Sequence, residues 1–508
     1  MTRYLPLLWL ILLTVSGCVQ NAPGGLASWN VSSPPLTVAA RGTPTRTPFL
    51  PATRAPGTPI VSPTPDAPHA VPSLPSEEKS YVVQPGDTLA IIAGRFGVPI
   101  QSLIAANDLT NPDWLAVGQT LRIPAVQPAE MAPGDKIIPD SELVYGPVSI
   151  TLDVEDFVAA HDGYLARYQQ EVEDLGGGVF SGAQIVQRVA RQYSVNPRLL
   201  LALLEYRAGW VTDVHPDEAT LTFPLGVRDV WRSGLYRQLA WAANQLNRGY
   251  YLWKVDAVAS WILADGSVVP VNPLVNPGTA AVQQLFALLD GRRDWERAVS
   301  PAGLAATYQA LFGYPFDFAI EPLLPPDLRQ PEMWLPFEQG VTWAFTGGPH
   351  GGWGDGSAWA ALDFAPSIEG LGCSQSDWWV TAVADGLIVR AEYGEVVQDL
   401  DGDGFEQTGW TVLYMHIEGR DRVRPGVFVQ AGDRLGHPSC EGGYSTGTHL
   451  HIARRYNGEW IPADQDLPFV MDGWVSRGTG IEYDGFLERD GASIEAWNGA
   501  TEANAIRR

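Results

Sequence analysis

The spacing of apolar residues changes several times along this chain, and no single fold satisfies all the patterns. Residues 19 to about 78 are rich in Pro, Thr, Ser and Ala and nearly lack aromatic residues, as in Thr43-Pro44-Thr45-Arg46-Thr47-Pro48. Such a stretch has little to bury and cannot feed a hydrogen-bonded ladder, so it reads as an extended tether. Residues 79–125 carry two short alternating runs around two helical runs. Residues 140–330 repeat Leu, Val, Ala and aromatic residues at helical spacing. From about Leu335 the pattern shortens to alternation between Gly-rich turns, as in Thr411-Val412-Leu413-Tyr414-Met415-His416, which indicates antiparallel strands. The chain is thus expected to be multidomain α+β, with residues 126–139 as a linker and 491–508 as a tail. Its 508 residues are too many for one core.

Charge excludes one class of partner. The formal net charge is −24 and no basic block offsets it, so nucleic acid is not expected. The chain starts Met1-Thr2-Arg3, continues apolar from Tyr4 to Val15, and reaches Ser16-Gly17-Cys18. A charged end, a short apolar run and small residues make an export signal, too short to span a bilayer comfortably. Val15-Ser16-Gly17-Cys18 resembles the lipobox of bacterial lipoproteins. That resemblance implies a signal peptide over 1–18, acylation of Cys18, and an extracytoplasmic protein anchored to a membrane of the cell envelope. Ordinary cleavage with release is the alternative. Of three Cys, Cys373 and Cys440 then remain as a pair. In an exported chain a disulfide is favoured over two buried thiols.

Within 79–125, Tyr81-Val82-Val83 and Leu121-Arg122-Ile123 read as strands, with Asp87 or Thr88 available to cap a helix. Tyr81-Val82-Val83-Gln84-Pro85-Gly86-Asp87-Thr88-Leu89, Asn107 and Val117-Gly118-Gln119-Thr120-Leu121-Arg122-Ile123-Pro124 resemble a LysM module. The family binds N-acetylglucosamine-containing glycans. The resemblance implies that Gly86, Asp87, Thr88 and Asn107 lie near the glycan groove; turn and capping geometry explains each equally well.

In the helical segment one helix is expected over 153–175. Another starts at Ser181, and a third starts at Asn196-Pro197 and ends at Glu205. The stretch from Ser181 to Trp210 loosely resembles the lysozyme-like fold of lytic transglycosylases, which would make Glu205 a glycosidase acid. Tyr206-Arg207 follow where that family has Ser. A surface carboxylate at a helix end is the plainer reading.

Five of the eight His lie between His350 and His451. In His449-Leu450-His451, alternation on a strand aims both imidazoles at one face. With Tyr414-Met415-His416 and Ala431-Gly432-Asp433-Arg434-Leu435-Gly436, this pair resembles the lysostaphin/LytM-type endopeptidases of peptidoglycan. The resemblance implies a zinc ligand at His451, a general base or acid at His449, and at His416 a residue that orients water or stabilises the oxyanion. That branch places His four residues before its Asp ligand; here Trp359 stands there. Thr346-Gly347-Gly348-Pro349-His350, a Gly-rich insert, and Ala361-Leu362-Asp363-Phe364 resemble instead the β-lytic, LasA-like branch. The ligand set is then His350, Asp363 and His451 in a peptidase domain over 331–490, leaving a fourth position for water. His437, in a turn beside Cys440, reads as structural. Asp399-Leu400-Asp401-Gly402-Asp403-Gly404 resembles half of an EF-hand-type calcium loop, but Trp410 stands where the bidentate Glu belongs. An acidic hairpin turn fits as well as a Ca2+ site. The function expected is zinc hydrolysis of peptidoglycan cross-links with LysM-mediated wall binding. The alternative is a non-catalytic peptidoglycan-binding or amidase-activating envelope protein.

Overall fold

The computed structural model describes Arg54 and residues 58–84, 87–109, 111, 115–126, 130–366 and 372–508. Cys18 and Gly86 lie outside the described residues. Strands Lys79–Val82 and Thr120–Ile123 pair antiparallel around helices Leu89–Phe96 and Ile100–Asn107. Thr88 caps the first helix by accepting from Ile91 N, and Gly97, at φ 60°, ends it. Leu89, Ile92, Leu103, Leu121 and Ile123 fill the small core.

The helical region follows. Helix Gly182–Tyr193 begins with a capping box between Ser181 and Gln184. Helix Pro197–Ala208 begins at Asn196 with Pro in its first turn and stops at Gly209, φ 69°. Helix Leu235–Lys254 packs on Pro277–Leu289, and Gly249 permits the approach: a Cβ there would lie 2.8 Å from Ala281 Cα.

Three expectations need correction. The helix expected over 153–175 is broken into Val154–His161 and Tyr164–Arg167, followed by a hairpin of Gln169–Val172 with Gly178–Ser181. Asp162 turns left-handed at φ 50°, and Gly163 packs so closely on the 210–211 backbone that a Cβ on it would lie 2.2 Å from Val211 O. The segment expected as linker places Ala132, Ile137 and Ile138 in the helical core. The expected tail instead supplies strand Ala505–Arg507, which closes the sheet against Thr342–His350 with Ile506 buried. Part of the tether is also docked: Asp66 N and His69 N donate to Leu274 O and Pro273 O.

The C-terminal region is built on a nine-stranded antiparallel sheet with Leu450–Tyr456 near its centre, between Trp410–Met415 and Ala361–Pro366. Its faces divide cleanly. Leu362, Phe364, Val412, Tyr414, Leu450 and Ile452 pack into one core. Ala361, Val397, Leu413, Met415 and Ala453 point the other way and merge into the core of the helical region. A polar cluster seals the same seam. Arg188 reaches Glu392 and Glu395 at 2.6 Å each, and Glu406 takes Arg390 at 3.1 Å and Arg455 at 3.0 Å. Cys373 and Cys440 are joined, closing a loop of 67 residues.

Candidate metal centre

Residues directly opposite in an antiparallel pair share a face. Register puts His451 opposite Asp363 and opposite Met415, so these three lie in one row on the helix-facing side of the sheet. The next row, Ala453, Ala361 and Leu413, is covered by helices. The metal row therefore sits at the edge of that cover, which still reaches Met415 at its one end. His350 joins it from the neighbouring strand, Thr342–His350, which is bulged twice around Gly347. Gly is required there, because a Cβ on Gly347 would stand 2.8 Å from Asp363 Oδ2.

The hydrogen bonds assign the tautomers, since a carbonyl can only accept. His350 Nδ1 donates to Gly348 O at 2.8 Å, which leaves Nε2 as a lone pair facing inward. His451 Nε2 donates to Gly352 O at 3.1 Å, which leaves Nδ1 facing inward. The two bare nitrogens stand 2.9 Å apart. Asp363 Oδ1 lies 3.2 Å from one and 3.3 Å from the other, yet has no donor in hydrogen-bond geometry. Two lone pairs and a carboxylate oxygen converging in a buried place repel one another unless a cation sits among them. Their ligand atoms all fall within 4.8 Å of one another, and nitrogen with carboxylate oxygen is a donor set for a transition metal.

His449 and His416 flank this cluster. His449 Nδ1 donates to Gly447 O at 2.8 Å, and its Nε2 lies 3.7 Å from Asp363 Oδ2. His416 follows the strand Trp410–Met415 in a left-handed turn, φ 63°. Its Nδ1 donates to Glu441 O at 3.0 Å, and its ring centroid lies 4.5 Å from that of His449. Burial, then the facing His449 and His451, push its pKa down to about 3. His416 is thus neutral, with Nε2 an acceptor; of its two expected roles, this tautomer suits orienting water and not donating to an oxyanion. Sequence reading missed Tyr483, stacked on His350 at 4.2 Å in a left-handed turn. Its only trace in the sequence is an aromatic residue in the Gly-bracketed stretch Gly480-Ile481-Glu482-Tyr483-Asp484-Gly485.

The other singled-out residues are occupied structurally. Glu205 accepts from Val211 N at 2.9 Å, Thr212 N at 3.1 Å and Thr212 Oγ1 at 2.5 Å, which fastens the loop after its helix. Asn107 ties Leu103 O to both backbone groups of Arg122. Asp87 takes Gln84 N at 2.8 Å and Tyr81 Oη at 2.6 Å. His437 Nδ1 donates to Trp378 O at 2.9 Å beneath Trp379. Asp399, Asp401 and Asp403 bring carboxylate oxygens within 4.8 Å of one another, while Asp399 also accepts from Gly404 N at 2.9 Å. Burial first, then Asp401, raise the Asp399 carboxyl to about 7. Trp410 points its indole to Arg329 O and offers that loop only its backbone carbonyl, which accepts from Leu400 N at 3.0 Å.

Three family models match the chain: the LysM domain over 81–124, the LasA N-terminal domain over 136–325, and peptidase family M23 over 371–462. The M23 match begins after His350 and Asp363; strand register sets Asp363 opposite His451, and the bulged neighbouring strand brings in His350. Protease LasA of Pseudomonas aeruginosa is 27% identical over 351 residues, covering 63% of this chain and 74% of its own. The beta-lytic metalloendopeptidase of Achromobacter lyticus is 28% identical over 160 residues, 30% of this chain and 39% of its own. Among solved structures, the M23 metalloprotease pseudoalterin matches at 26% identity and a TM-score of 0.28, covering 33% of this chain and 96% of its own. The chain carries a LysM domain and a metalloendopeptidase domain of peptidase family M23, in the LasA-like branch of the LytM superfamily.

Proposed function

We propose that this protein is a zinc endopeptidase of the bacterial cell wall, cutting peptide cross-links of peptidoglycan while its LysM domain holds the glycan. The convergence of His350 Nε2, His451 Nδ1 and Asp363 Oδ1 carries the reading. These residues would hold the ion, and bound there it supplies Lewis acidity that polarises a carbonyl and acidifies water. His449 accepts the proton of the attacking water at Nε2 and passes it to the leaving amine. His416 accepts a hydrogen bond at Nε2 and keeps that water aligned. Tyr483 walls the His350 side of the site against solvent.

The test is metal content of the purified protein by mass spectrometry, together with muropeptide analysis of digested sacculi. One zinc per chain and conversion of cross-linked to monomeric muropeptides are expected, both lost in Asp363→Ala. A wild-type protein without zinc that leaves sacculi intact supports the non-catalytic, wall-binding alternative instead. Two further parts of the proposal have their own tests. Acylation of Cys18 predicts incorporation of a labelled fatty acid that Cys18→Ala abolishes. Calcium at Asp399, Asp401 and Asp403 predicts a rise in melting temperature with added Ca2+ that Asp403→Asn removes.

A further inference from the structure

The aim of the His451 ring depends on a loop, and the loop depends on the other domain. Gly352 O, which takes the His451 Nε2–H at 3.1 Å, belongs to the insert between strands Thr342–His350 and Ala361–Pro366. This insert reads Gly351-Gly352-Trp353-Gly354-Asp355-Gly356-Ser357-Ala358 and has few side chains with which to hold itself. Inside it, Gly352 N donates to Ala358 O at 3.0 Å and Trp353 N to Ser357 Oγ at 3.0 Å.

Its outer turn is gripped from helix Leu235–Lys254 of the helical domain. Asn244 Oδ1 accepts from Gly356 N at 3.0 Å, and Asn244 Nδ2 donates to Asp355 Oδ1 at 2.5 Å. Arg248, one turn on, stands 3.9 Å from Asp355 Oδ2. The approach is close enough to demand Gly. A Cβ on Gly356 would lie 2.0 Å from Asn244 O, and one on Gly354 would lie 2.6 Å from Asn244 Oδ1. Tyr193, ending helix Gly182–Tyr193, meets the Trp353 ring edge-on at 6.3 Å. Its carbonyl takes Trp460 Nε1–H at 3.3 Å, and the Trp460 indole lies against Gly352.

We propose that Asn244 is a positioning residue for the metal centre, setting across the domain seam the loop whose carbonyl orients His451. The inference rests on His350, Asp363 and His451 being the ligands. Groups that orient a ligating imidazole change metal affinity by roughly tenfold to a hundredfold, and Asn244 acts one link further out, so about tenfold is expected.

The experiment measures release of zinc from the full-length chain to a chromogenic chelator. Asn244→Ala is expected to release zinc about tenfold faster than wild type, and Asp355→Ala, which removes one of the two bonds, by a smaller factor. The exchange Asn244→Asp with Asp355→Asn keeps both bonds, with Gly356 N still donating to residue 244 and only the 244–355 bond reversed in direction, and is expected to restore slow release. Melting of the zinc-free proteins separates positioning from general loosening, because a positioning role leaves that midpoint near wild type. Wild type holding one zinc while Asn244→Ala releases it at the wild-type rate overturns the inference and leaves the ligand reading intact. So does loss of the zinc-free midpoint in Asn244→Ala with no rescue by the exchange. A wild-type chain that holds no zinc overturns the ligand reading itself.

Discussion

His416 shows how a backbone turn can set the chemistry of a side chain. Left-handed φ at a non-Gly residue costs on the order of 1 kcal/mol and persists where the surroundings enforce it. Here Ser439 holds the turn by donating its N–H at 2.7 Å and its Oγ–H at 2.9 Å to His416 O. Asn tolerates that conformation, so His416→Asn should keep the fold and the metal but slow peptide hydrolysis by about 10²- to 10⁴-fold, read as kcat beside metal content. Glu205 makes the opposite point. Its helix-end position in an apolar run suggested chemistry, yet all of its bonds fasten a loop. Glu205→Gln should destabilise the protein by roughly 1–3 kcal/mol in denaturant titration and leave the products released from sacculi unchanged. His449 and His451 were legible because strand alternation is a local property. Asn244 was not, because it acts through contacts 111 and 112 positions away in sequence.

Among the elements, the LysM segment was the most legible, since its strands and helices each end on a visible signal such as Thr88 or Gly97. The helix expected over 153–175 failed at Asp162-Gly163, a turn pair inside an otherwise helical pattern whose meaning lies in the distant Val211 carbonyl. Strand Ala505–Arg507 was missed for a related reason. Three residues carry almost no periodicity, and their partner Thr342–His350 is more than 150 residues away. The Cys373–Cys440 bridge ties the segment before strand Val380–Thr381 to the turn that leads into His449. Replacing both Cys with Ser should cost about 4 kcal/mol in the chain-entropy account, measured as a shift in unfolding free energy.

At the scale of the molecule, the seam between helices and sheet should respond to acid. Burial would raise Glu406, but Arg390 and Arg455 outweigh it and bring its carboxyl down to about 2. A carboxyl depressed in the folded state stabilises fully above its unfolded value, near 4.5, and that contribution disappears as pH falls through about 2. Stability should therefore decline over that window, and Glu406→Gln should flatten the decline in melting temperature against pH. Removing residues 79–125 should weaken binding to sacculi while hydrolysis of a short soluble peptide stays the same, as co-sedimentation and peptide assays would read.

The shared face of the sheet has a further consequence, one of timing. Chains are made from the N-terminus, and domains fold in that order. The helical surface that covers Val397, Leu413, Met415 and Ala453 is thus complete before the last strand of the sheet, Ala505–Arg507, leaves the ribosome. The sheet condenses on a finished template, so the order of the two halves along the gene matters as well as their presence together. A circular permutation that placed residues 331–508 ahead of the helices would expose a bare apolar face during synthesis, and aggregates are the expected yield.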